Sequence, residues 1–464
     1  MKSNLFTYLF IALVSGLWFG CKTGEQTKDT TVATQDTEWF STASESELLD
    51  SVQLQTFRYF WDFAEQNSGM APERLIPSGE YPLNDKHIVT TGGSGFGIMA
   101  ILVGIERDFI TRKQGVDRLQ RIVDYLATAD RFHGIWPHWL NGETGETRPF
   151  SKFDDGGDLV ESAFLAQGLL CARQYLQKGN ESEAALADKI NVLWEGMEFN
   201  WHTKNDSKKL YWHWSPNHAW KMDFPLKGYD ETMITYVLGA SHPKYSIDKE
   251  TYDNCWARGG DIVATDSAYG VDRHVDHYSS DDSPFGPLFW AHYSYLALDP
   301  EGLSDQYADY WEVNENHALA HYNYAVTNPE NFKGYGENLW GMTSSYTRKE
   351  DGSVGYTSHR PDRDMGVISP TAAISSIPYT PKESLQAIRG MYAYPELLGP
   401  AGFYDAFSPE YEWVCERYLA IDQGPMIVMI ENYRSGLLWD LFMSCPEIKN
   451  GLKKLEFTST KHQL

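Results

Sequence analysis

Hydrophobic residues recur at the spacing of one helix face along most of this chain. Leu49, Val52, Phe57 and Phe60 follow this rule in a segment that opens with Ser44, a residue type that caps helix N-termini. Similar patterns predict about a dozen helices, at this first segment and at 98–105, 116–126, 159–177, 183–199, 230–240, 285–298, 303–317, 370–377, 382–397, 418–432 and 435–443. Alternating apolar and polar residues are scarce, so we expect few strands beyond a short hairpin at 210–214.

These helices point to one domain. No internal repeat has a fixed period, which disfavours a solenoid, and no linker-like stretch divides residues 45–460. About a dozen helices can form an irregular bundle or a ring of helix pairs in two layers. Polar and acidic loops stand directly before apolar helices here, and a ring would gather such loops around a central cleft. We therefore predict a single all-α domain over 45–464 and favour the ring.

The first 44 residues have the composition of a targeting segment. A basic start followed by a short apolar run is typical of a secretory signal peptide, here over 1–20. Cys21 resembles the lipidated cysteine of a bacterial lipobox, although an ordinary signal peptide or a membrane anchor would also fit. Residues 21–44 are mostly polar and are expected to form a flexible tether. We predict an exported lipoprotein, in the periplasm or on the outer-membrane surface of a Gram-negative bacterium.

Composition narrows the possible partners. The chain holds 28 Tyr, 22 Phe and 16 Trp, and aromatic rings in a cleft stack on the apolar faces of sugars. The formal net charge of −25 disfavours nucleic acid and anionic lipid and favours a neutral substrate. The five cysteines lack metal-type spacing, so we expect buried free thiols apart from Cys21. No GxSxG, P-loop or Rossmann motif is present, which leaves triad and nucleotide chemistry without support.

Two acidic segments carry the candidate chemistry. Residues 153–161 (FDDGGDLVE) place Asp154, Asp158 and Glu161 at positions i, i+4 and i+7, on one face if the helix begins early. Helix capping is the alternative, because acids favour helix N-termini. Glu231 precedes an apolar run that would raise its pKa, as a general acid requires, although Asp230 and Glu231 could also be capping residues.

Other candidates are less specific. Asp405 lies in an aromatic loop and could activate water or form a turn. The acidic and histidine-containing run 272–277, with Asp281 and Asp282, lacks a recognised order of metal ligands, so we expect a solvated loop and no metal site. Possible sugar-binding side chains cluster in two loops: Trp136, His138, Trp139, Trp212, Trp214 and Trp220. Each of them alone could instead be a packing residue.

Several motifs in order resemble one family. They are 91–97 (TGGSGFG), 153–161, 228–231 (GYDE), 283–289 (SPFGPLF), 337–341 (ENLWG) and 402–407 (GFYDAF). Together they resemble the "glucoamylase-like" bacterial proteins and, more narrowly, the β-1,2-glucanases of glycoside hydrolase family 144. The resemblance covers about residues 48–440.

The resemblance implies an (α/α)6 toroid around an acidic cleft, inverting hydrolysis of β-1,2-glucan and no cofactor. It implies that Glu231 is the general acid and that Asp154, Asp158 and Glu161 lie in the cleft, with Asp405 as a rival base. Tyr229 and Trp340, inside the matching motifs, are expected to contact substrate.

Three other functions stay open. A glycan-binding lipoprotein without catalysis would keep the aromatic residues but would not need Glu231, Asp158 and Glu161 together. A polysaccharide lyase on the same fold would favour positive charge and a Tyr or His base. An exo-acting enzyme that releases glucose or sophorose differs only in loops that block one end of the cleft. We expect an endo-acting monomer.

Overall fold

The computed structural model describes residues 39–277 and 283–464. The predicted signal peptide, Cys21 and most of the predicted tether lie outside them, as do Asp281 and Asp282. Residues Trp39–Thr42 of that tether form a helical turn, in which the Trp39 ring packs edge-on against Tyr392 at 5.2 Å between centroids. The tether therefore gives way to folded structure before residue 45.

The helices account for most of the regular structure. In chain order, the α-helices of the described residues are α1 (Trp39–Thr42), α2 (Glu45–Trp61), α3 (Thr91–Glu106), α4 (Arg112–Leu126), α5 (Leu159–Leu176), α6 (Glu181–Glu195), α7 (Met233–Ser241), α8 (Lys249–Thr251), α9 (Tyr310–Thr327), α10 (Pro370–Ser375), α11 (Pro381–Tyr392), α12 (Ala420–Ser435), α13 (Leu437–Met443) and α14 (Pro446–Lys454). Tighter or wider helical turns occupy Pro82–His87, Phe199–Thr203, Tyr252–Trp256, Arg258–Gly260, Leu288–Ala291, Tyr293–Leu296 and Pro395–Leu397.

Buried and half-exposed helices alternate along the chain. The inner helices α3, α5, α7, α10 and α12 are buried over nearly their whole length, whereas outer helices such as α4 and α11 bury one face. The inner helices pack side by side, with the turns at Leu288–Ala291 and Tyr293–Leu296 taking the fourth inner position. This arrangement is the predicted (α/α)6 toroid, and the fold-class prediction is confirmed.

Strands are short and lie in the loops between the helices. They are β1 (Arg74–Leu75), β2 (Ile88–Thr90), β3 (Trp139–Asn141), β4 (Thr147–Arg148), β5 (Gly157–Asp158), β6 (His213–Trp214), β7 (Ser267–Ala268), β8 (Val271–Asp272), β9 (Leu303–Ser304), β10 (Ser344–Arg348), β11 (Val354–Ser358), β12 (Leu398–Gly399), β13 (Gly402–Phe403), β14 (Ala406–Ser408), β15 (Trp413–Cys415), β16 (Tyr418–Leu419) and β17 (Thr458–Ser459). All pairings between them are antiparallel: β1–β16, β2–β3–β4, β5–β6, β7–β8, β9–β17, β10–β11, β12–β13 and β14–β15.

One strand prediction was wrong, and one hairpin was missed. The expected hairpin at 210–214 does not form; β6 pairs instead with β5, so that His213 lies opposite Asp158. The five-residue hairpin β10–β11, with Tyr346 opposite Tyr356, was not predicted. Its strands mix polar and aromatic residues, and only Asp351–Gly352 at the turn signals a hairpin.

Helix boundaries differ from prediction where loops and helices share composition. The predicted helix at 98–105 begins at Thr91, because the glycine-rich run forms its first two turns. A Cβ on Gly95 would lie 2.1 Å from the carbonyl oxygen of Phe164 in α5, so the glycine lets the two inner helices approach closely. The predicted helix at 285–298 is instead two short 3₁₀ turns, and the one at 303–317 shifts to α9.

Cys171, Cys255, Cys415 and Cys445 are free and buried, which confirms the prediction for these four. Among the residues that the structure describes, no helix has the length and apolar character needed to cross a bilayer.

Candidate active site

A cavity of about 420 Å³ opens where the cleft-side loops meet the N-termini of inner helices. Two walls come from the β1–β16 and β2–β3 pairs, a third from the start of α5, and a fourth from the β10–β11 hairpin. The lining residues are Glu73, Arg74, Thr90, His138, Trp139, Phe150, Glu161, Phe164, Trp212, Glu231, Phe289, Tyr293, Ser344, Tyr346, Tyr356, Leu419 and Ile421. The cavity thus combines carboxyl groups with aromatic rings.

Asp158 organises one side of this cavity. Its Oδ1 caps α5 by accepting from the backbone amides of Val160 and Glu161, at 3.0 and 2.9 Å. Its Oδ2 accepts from the Trp212 indole at 3.0 Å and pairs with His138 Nδ1 at 2.9 Å. Burial would raise the pKa of Asp158, but the hydrogen bond and charge of His138 bring it below its ordinary value. With both oxygens engaged, Asp158 positions its neighbours and does not take up a proton.

Glu161 faces the cavity from the first turn of α5. Its Oε2 accepts from the Gly92 amide at 2.7 Å, and a Cβ on Gly92 would lie 2.6 Å from that oxygen. The glycine-rich run therefore brings a backbone amide to this carboxylate. Burial raises the pKa of Glu161, while the nearby His138 opposes that rise.

His138 carries the positive charge in a cluster with Asp154, Asp158 and Glu161. Its Nε2 lies 3.9 Å from Glu161 Oε1, and its Nδ1 lies 3.7 Å from Asp154 Oδ2. Burial lowers its pKa, yet Glu161, Asp158 and Asp154 together raise it to about 10, so the ring is an imidazolium at neutral pH. The Phe150 ring stacks on it with centroids 4.2 Å apart. His138 was predicted as a sugar contact; its main contacts here are carboxylates.

Asp154 completes the cluster behind His138. It is buried, with Oδ1 3.3 Å from His213 Nε2. Burial and the charge of Asp158 raise its pKa to about 7. His138, Asp154 and Asp158 could each offer one ligand atom to a cation, since these atoms lie within 4.8 Å of one another. An imidazolium held between two carboxyl groups also accounts for this geometry.

Glu231 enters the cavity from the segment before α7. Asp230, not Glu231, does the local capping, because its Oδ1 accepts from the Thr232 amide at 2.8 Å. The Glu231 backbone carbonyl accepts from Ser294 Oγ, which fixes the segment to the neighbouring inner turn. Burial, followed by the charge of Asp230, raises the pKa of Glu231 well above its ordinary value. Its carboxyl group therefore retains a proton to donate.

Asp405, the predicted rival base, lies behind the cavity wall. It is 2% exposed, and its Oδ2 accepts from the Tyr346 amide at 2.8 Å. Beside it, Asp422 accepts from the hydroxyl of the cavity-lining Tyr293 at 3.3 Å. Burial raises the pKa of Asp405 to about 6 and that of Asp422 well above its ordinary value. This arrangement orients Tyr293 and Tyr346 and leaves Asp405 without direct access to the cavity.

The predicted aromatic contacts separate into three groups. Trp139 and Trp212 line the cavity. Three others are fully buried and offer no face to a sugar: Trp136, Trp340 and Tyr229. The Trp136 indole donates to the Leu126 carbonyl and the Trp340 indole to the Glu383 carbonyl. The Tyr229 hydroxyl donates to Asn314. Trp214 and Trp220 lie elsewhere, near Trp201.

The run 272–277 is less solvated than predicted. His277 is buried, and its Nδ1 accepts from the Gly286 amide at 3.1 Å. Arg258 binds Asp276 at 2.7 Å. Packing against aromatic and histidine rings explains the difference.

Comparison with known proteins assigns the chain to a family. The model of the family described as "Glycoamylase: Putative glucoamylase" matches residues 223–446. The solved structure of an endo-β-1,2-glucanase from Chitinophaga pinensis, with sophorotriose and glucose, is 53% identical with a TM-score of 0.87. The match covers 90% of this chain and 99% of that one. This chain belongs to the Glycoamylase family.

Two further proteins are similar to this chain over most of its length. The crystal structure of a putative glucoamylase from Bacteroides caccae is 50% identical, with a TM-score of 0.87, and the match covers 90% of this chain and all of that one. The exo β-1,2-glucooligosaccharide sophorohydrolase of Parabacteroides distasonis is 42% identical over 431 residues, which are 89% of this chain. This chain spans 58% of that relative's length.

Several cavity residues of this Glycoamylase member escaped sequence reasoning. Glu73, whose pKa is raised by burial, pairs with Arg74 in β1. Tyr293, Tyr346 and Tyr356 form much of the opposite wall. Asp422, behind the cavity wall, was missed as well, although it is an acid in the first turn of an apolar helix, as Glu161 is. Glu73 carries no comparable signal.

Proposed function

We propose that this protein is a glycoside hydrolase that cleaves β-1,2-glucan. The observation that carries the proposal is that Glu231, whose pKa is raised by desolvation, and Glu161 line the same aromatic-walled cavity. The Chitinophaga pinensis and Parabacteroides distasonis relatives are both named for action on β-1,2-glucans. The sequence motifs support membership of glycoside hydrolase family 144.

In the proposed reaction, Glu231 gives its proton to the glycosidic oxygen as the bond to the anomeric carbon breaks. A water molecule attacks the anomeric carbon from the opposite face of the sugar, and Glu161 accepts a proton from that water. The His138 imidazolium favours the ionised form of Glu161. Direct displacement by water inverts the configuration, so a β-linkage yields an α-anomer, which NMR of the fresh product would detect.

We propose endo action. The endo-acting relative shares 53% of aligned residues with this chain, against 42% for the exo-acting sophorohydrolase. Exo release of sophorose is the second candidate, because that relative also matches 89% of this chain. Early products decide between them: endo action gives mixed oligosaccharides and a rapid fall in polymer length, whereas exo action gives sophorose from the first time point.

The test of the whole proposal is a substrate panel. The protein is incubated with linear β-1,2-glucan, laminarin, cellulose and starch, and the products are separated by length. Cleavage of linear β-1,2-glucan alone supports the proposal, and no cleavage of any of the four substrates contradicts it.

Glu231→Gln should reduce turnover by about 10²–10⁴-fold, whereas Glu412→Gln, at a side chain that is 85% exposed, should match the parent. Near-parental turnover by Glu231→Gln would remove it as the acid.

We also propose that the chain is exported and lipidated at Cys21, as the lipobox-like N-terminus indicates. The parent should then fractionate with membranes and Cys21→Ser with the soluble fraction. Equal partitioning of the two would contradict lipidation at this residue.

A further inference from the structure

A second cavity, of about 600 Å³, lies apart from the candidate active site. It is formed by the 3₁₀ turn Phe199–Thr203, the loop after that turn, residues 245–248 and the end of α14. Its lining shares no residue with that of the catalytic cavity among the described residues. It is therefore a separate concave surface.

Two indole rings supply its apolar surface. Trp201 is 37% exposed, and the ring of the half-buried Trp220 lies 6.4 Å away at an interplanar angle of 31°. His133 stacks on Trp201 at 3.6 Å and is itself held by Glu198 at 2.9 Å. Trp214 and Trp201 pack edge to face, with ring centroids 5.8 Å apart. Trp220 packs in turn against His202 and Tyr211, so both indoles are held in place while part of their surface stays open to solvent.

Most charged side chains around this cavity are paired with other side chains of the protein. Lys204 binds Asp223 at 2.7 Å, and Lys208 binds Asp248 at 2.7 Å. Lys454 donates to Ser246 Oγ at 2.9 Å. Asn200 and Asn205 add amide groups to the lining, which offer a donor and an acceptor each. Indole faces beside amides and paired charges suit a neutral, hydroxyl-rich ligand.

The rim of the cavity is held in an unfavourable backbone conformation. Lys204, Asn205, Asp206 and Lys208 all have positive φ, between 52° and 62°. Each non-glycine residue in this region costs about 1 kcal/mol, and such strain is concentrated at ligand clamps and other functional segments. The ion pairs of Lys204 and Lys208 hold this loop against the cavity.

We propose that this cavity is a second carbohydrate site, which holds a neutral glucan segment against Trp201 and Trp220. Its identification as a site for β-1,2-glucan rests on the proposed function, whereas its preference for a neutral carbohydrate does not. The segment that supplies Trp212 to the catalytic cavity also supplies Trp214, which supports Trp201. A long chain bound here would be retained near the catalytic cavity between cleavages.

Calorimetric titration in the Glu231→Gln background tests this site without turnover. The probe is a β-1,2-gluco-oligosaccharide, with laminari- and cello-oligosaccharides in parallel. Two binding sites are expected, and Trp201→Ala should weaken one by about tenfold. Trp220→Ala should do the same, and Trp201→Phe, which keeps a stacking ring, should retain part of the affinity. Tyr411→Ala, at a 45% exposed ring outside both cavities, is the matched control.

The outcomes separate this proposal from the function of the catalytic cavity. If the titration shows a single binding site, and neither Trp201→Ala nor Trp220→Ala changes its affinity, the proposal of a second site is overturned. This holds even if the parent cleaves glucan. Trp201-dependent binding of any of the three oligosaccharides supports the site, even if no cleavage occurs. In the active parent, Trp201→Ala should raise KM several-fold for long glucan and leave hydrolysis of a short oligosaccharide unchanged.

Discussion

Gly92 shows how one missing side chain fixes the carboxylate that we propose as the base. Its amide donates to Glu161 Oε2 at 2.7 Å, and a Cβ there would lie 2.6 Å from the same oxygen. Gly92→Ala should displace Glu161 and lower kcat by about 10²-fold, because small misplacements of reacting groups are this costly. Steady-state kinetics on linear β-1,2-glucan measures the effect.

Gly196→Ala is the control for that substitution. Gly196 ends α6 with φ −87°, and its Cβ would meet nothing closer than 3.5 Å. This variant should keep parental kcat. Equal kcat in Gly92→Ala and the parent would contradict the close approach of Gly92 to Glu161.

His138 offers a test of electrostatics within the cluster. Its positive charge opposes the burial that raises the pKa of both Glu161 and Asp154. His138→Gln removes this charge, so the pKa of Glu161 should rise and the acidic limb of the pH dependence of kcat/KM should move to higher pH, by about one unit. An acidic limb at the parental position would show that His138 does not act on Glu161 through its charge.

Sequence reasoning found the acids at the starts of apolar helices, Glu161 and Glu231, because their apolar neighbours predict burial. It could not tell that Asp158 has both oxygens occupied, since Trp212 and His138 reach it from distant segments. Nor could it tell Trp136, which is buried, from Trp139, which lines the cavity. At the residue scale, the missing information is which side of a loop faces the cleft.

Helix α9 carries two buried histidines that should make stability depend on pH. His317 and His321 both bind the Gly286 carbonyl through Nε2, at 2.8 and 2.9 Å. Burial lowers the pKa of His321 to about 4 and that of His317 well below its ordinary value. Between pH 6.5 and 4 the unfolded chain therefore binds protons that folded His321 does not, and stability falls as the pH falls.

His321→Gln isolates this contribution, since glutamine can still donate to the carbonyl but does not titrate. A histidine with a pKa of about 6.5 in the unfolded chain and about 4 in the folded protein makes the unfolding free energy about 2 kcal/mol smaller at pH 5 than at pH 7. Urea unfolding at both pH values should therefore show a smaller loss for His321→Gln than for the parent. Identical losses would contradict a neutral, buried His321.

Among the elements, apolar helices with a clear start and end were the most predictable. The helices expected at 159–177 and 435–443 form as α5 and α13, at Leu159–Leu176 and Leu437–Met443. The inner turns at 288–296 were not recognisable, because an apolar run of that length is compatible with a helix or with two tight turns. The hairpin β10–β11 was missed because its strands combine polar positions with tyrosines that face the cavity.

The charge of the whole molecule separates the hydrolase from the lyase alternative. At a net charge of −25, a polyuronate substrate would be repelled, and salt would screen that repulsion and speed association. A neutral glucan has no such long-range interaction. We therefore expect kcat/KM on linear β-1,2-glucan to change by less than about twofold between 20 and 500 mM NaCl. The melting temperature, measured at each salt concentration, is the control for changes in folding. A steep salt dependence on this neutral glucan would contradict that expectation, whereas cleavage of a polyuronate, with a kcat/KM that rises steeply with salt, would indicate lyase chemistry on this toroid.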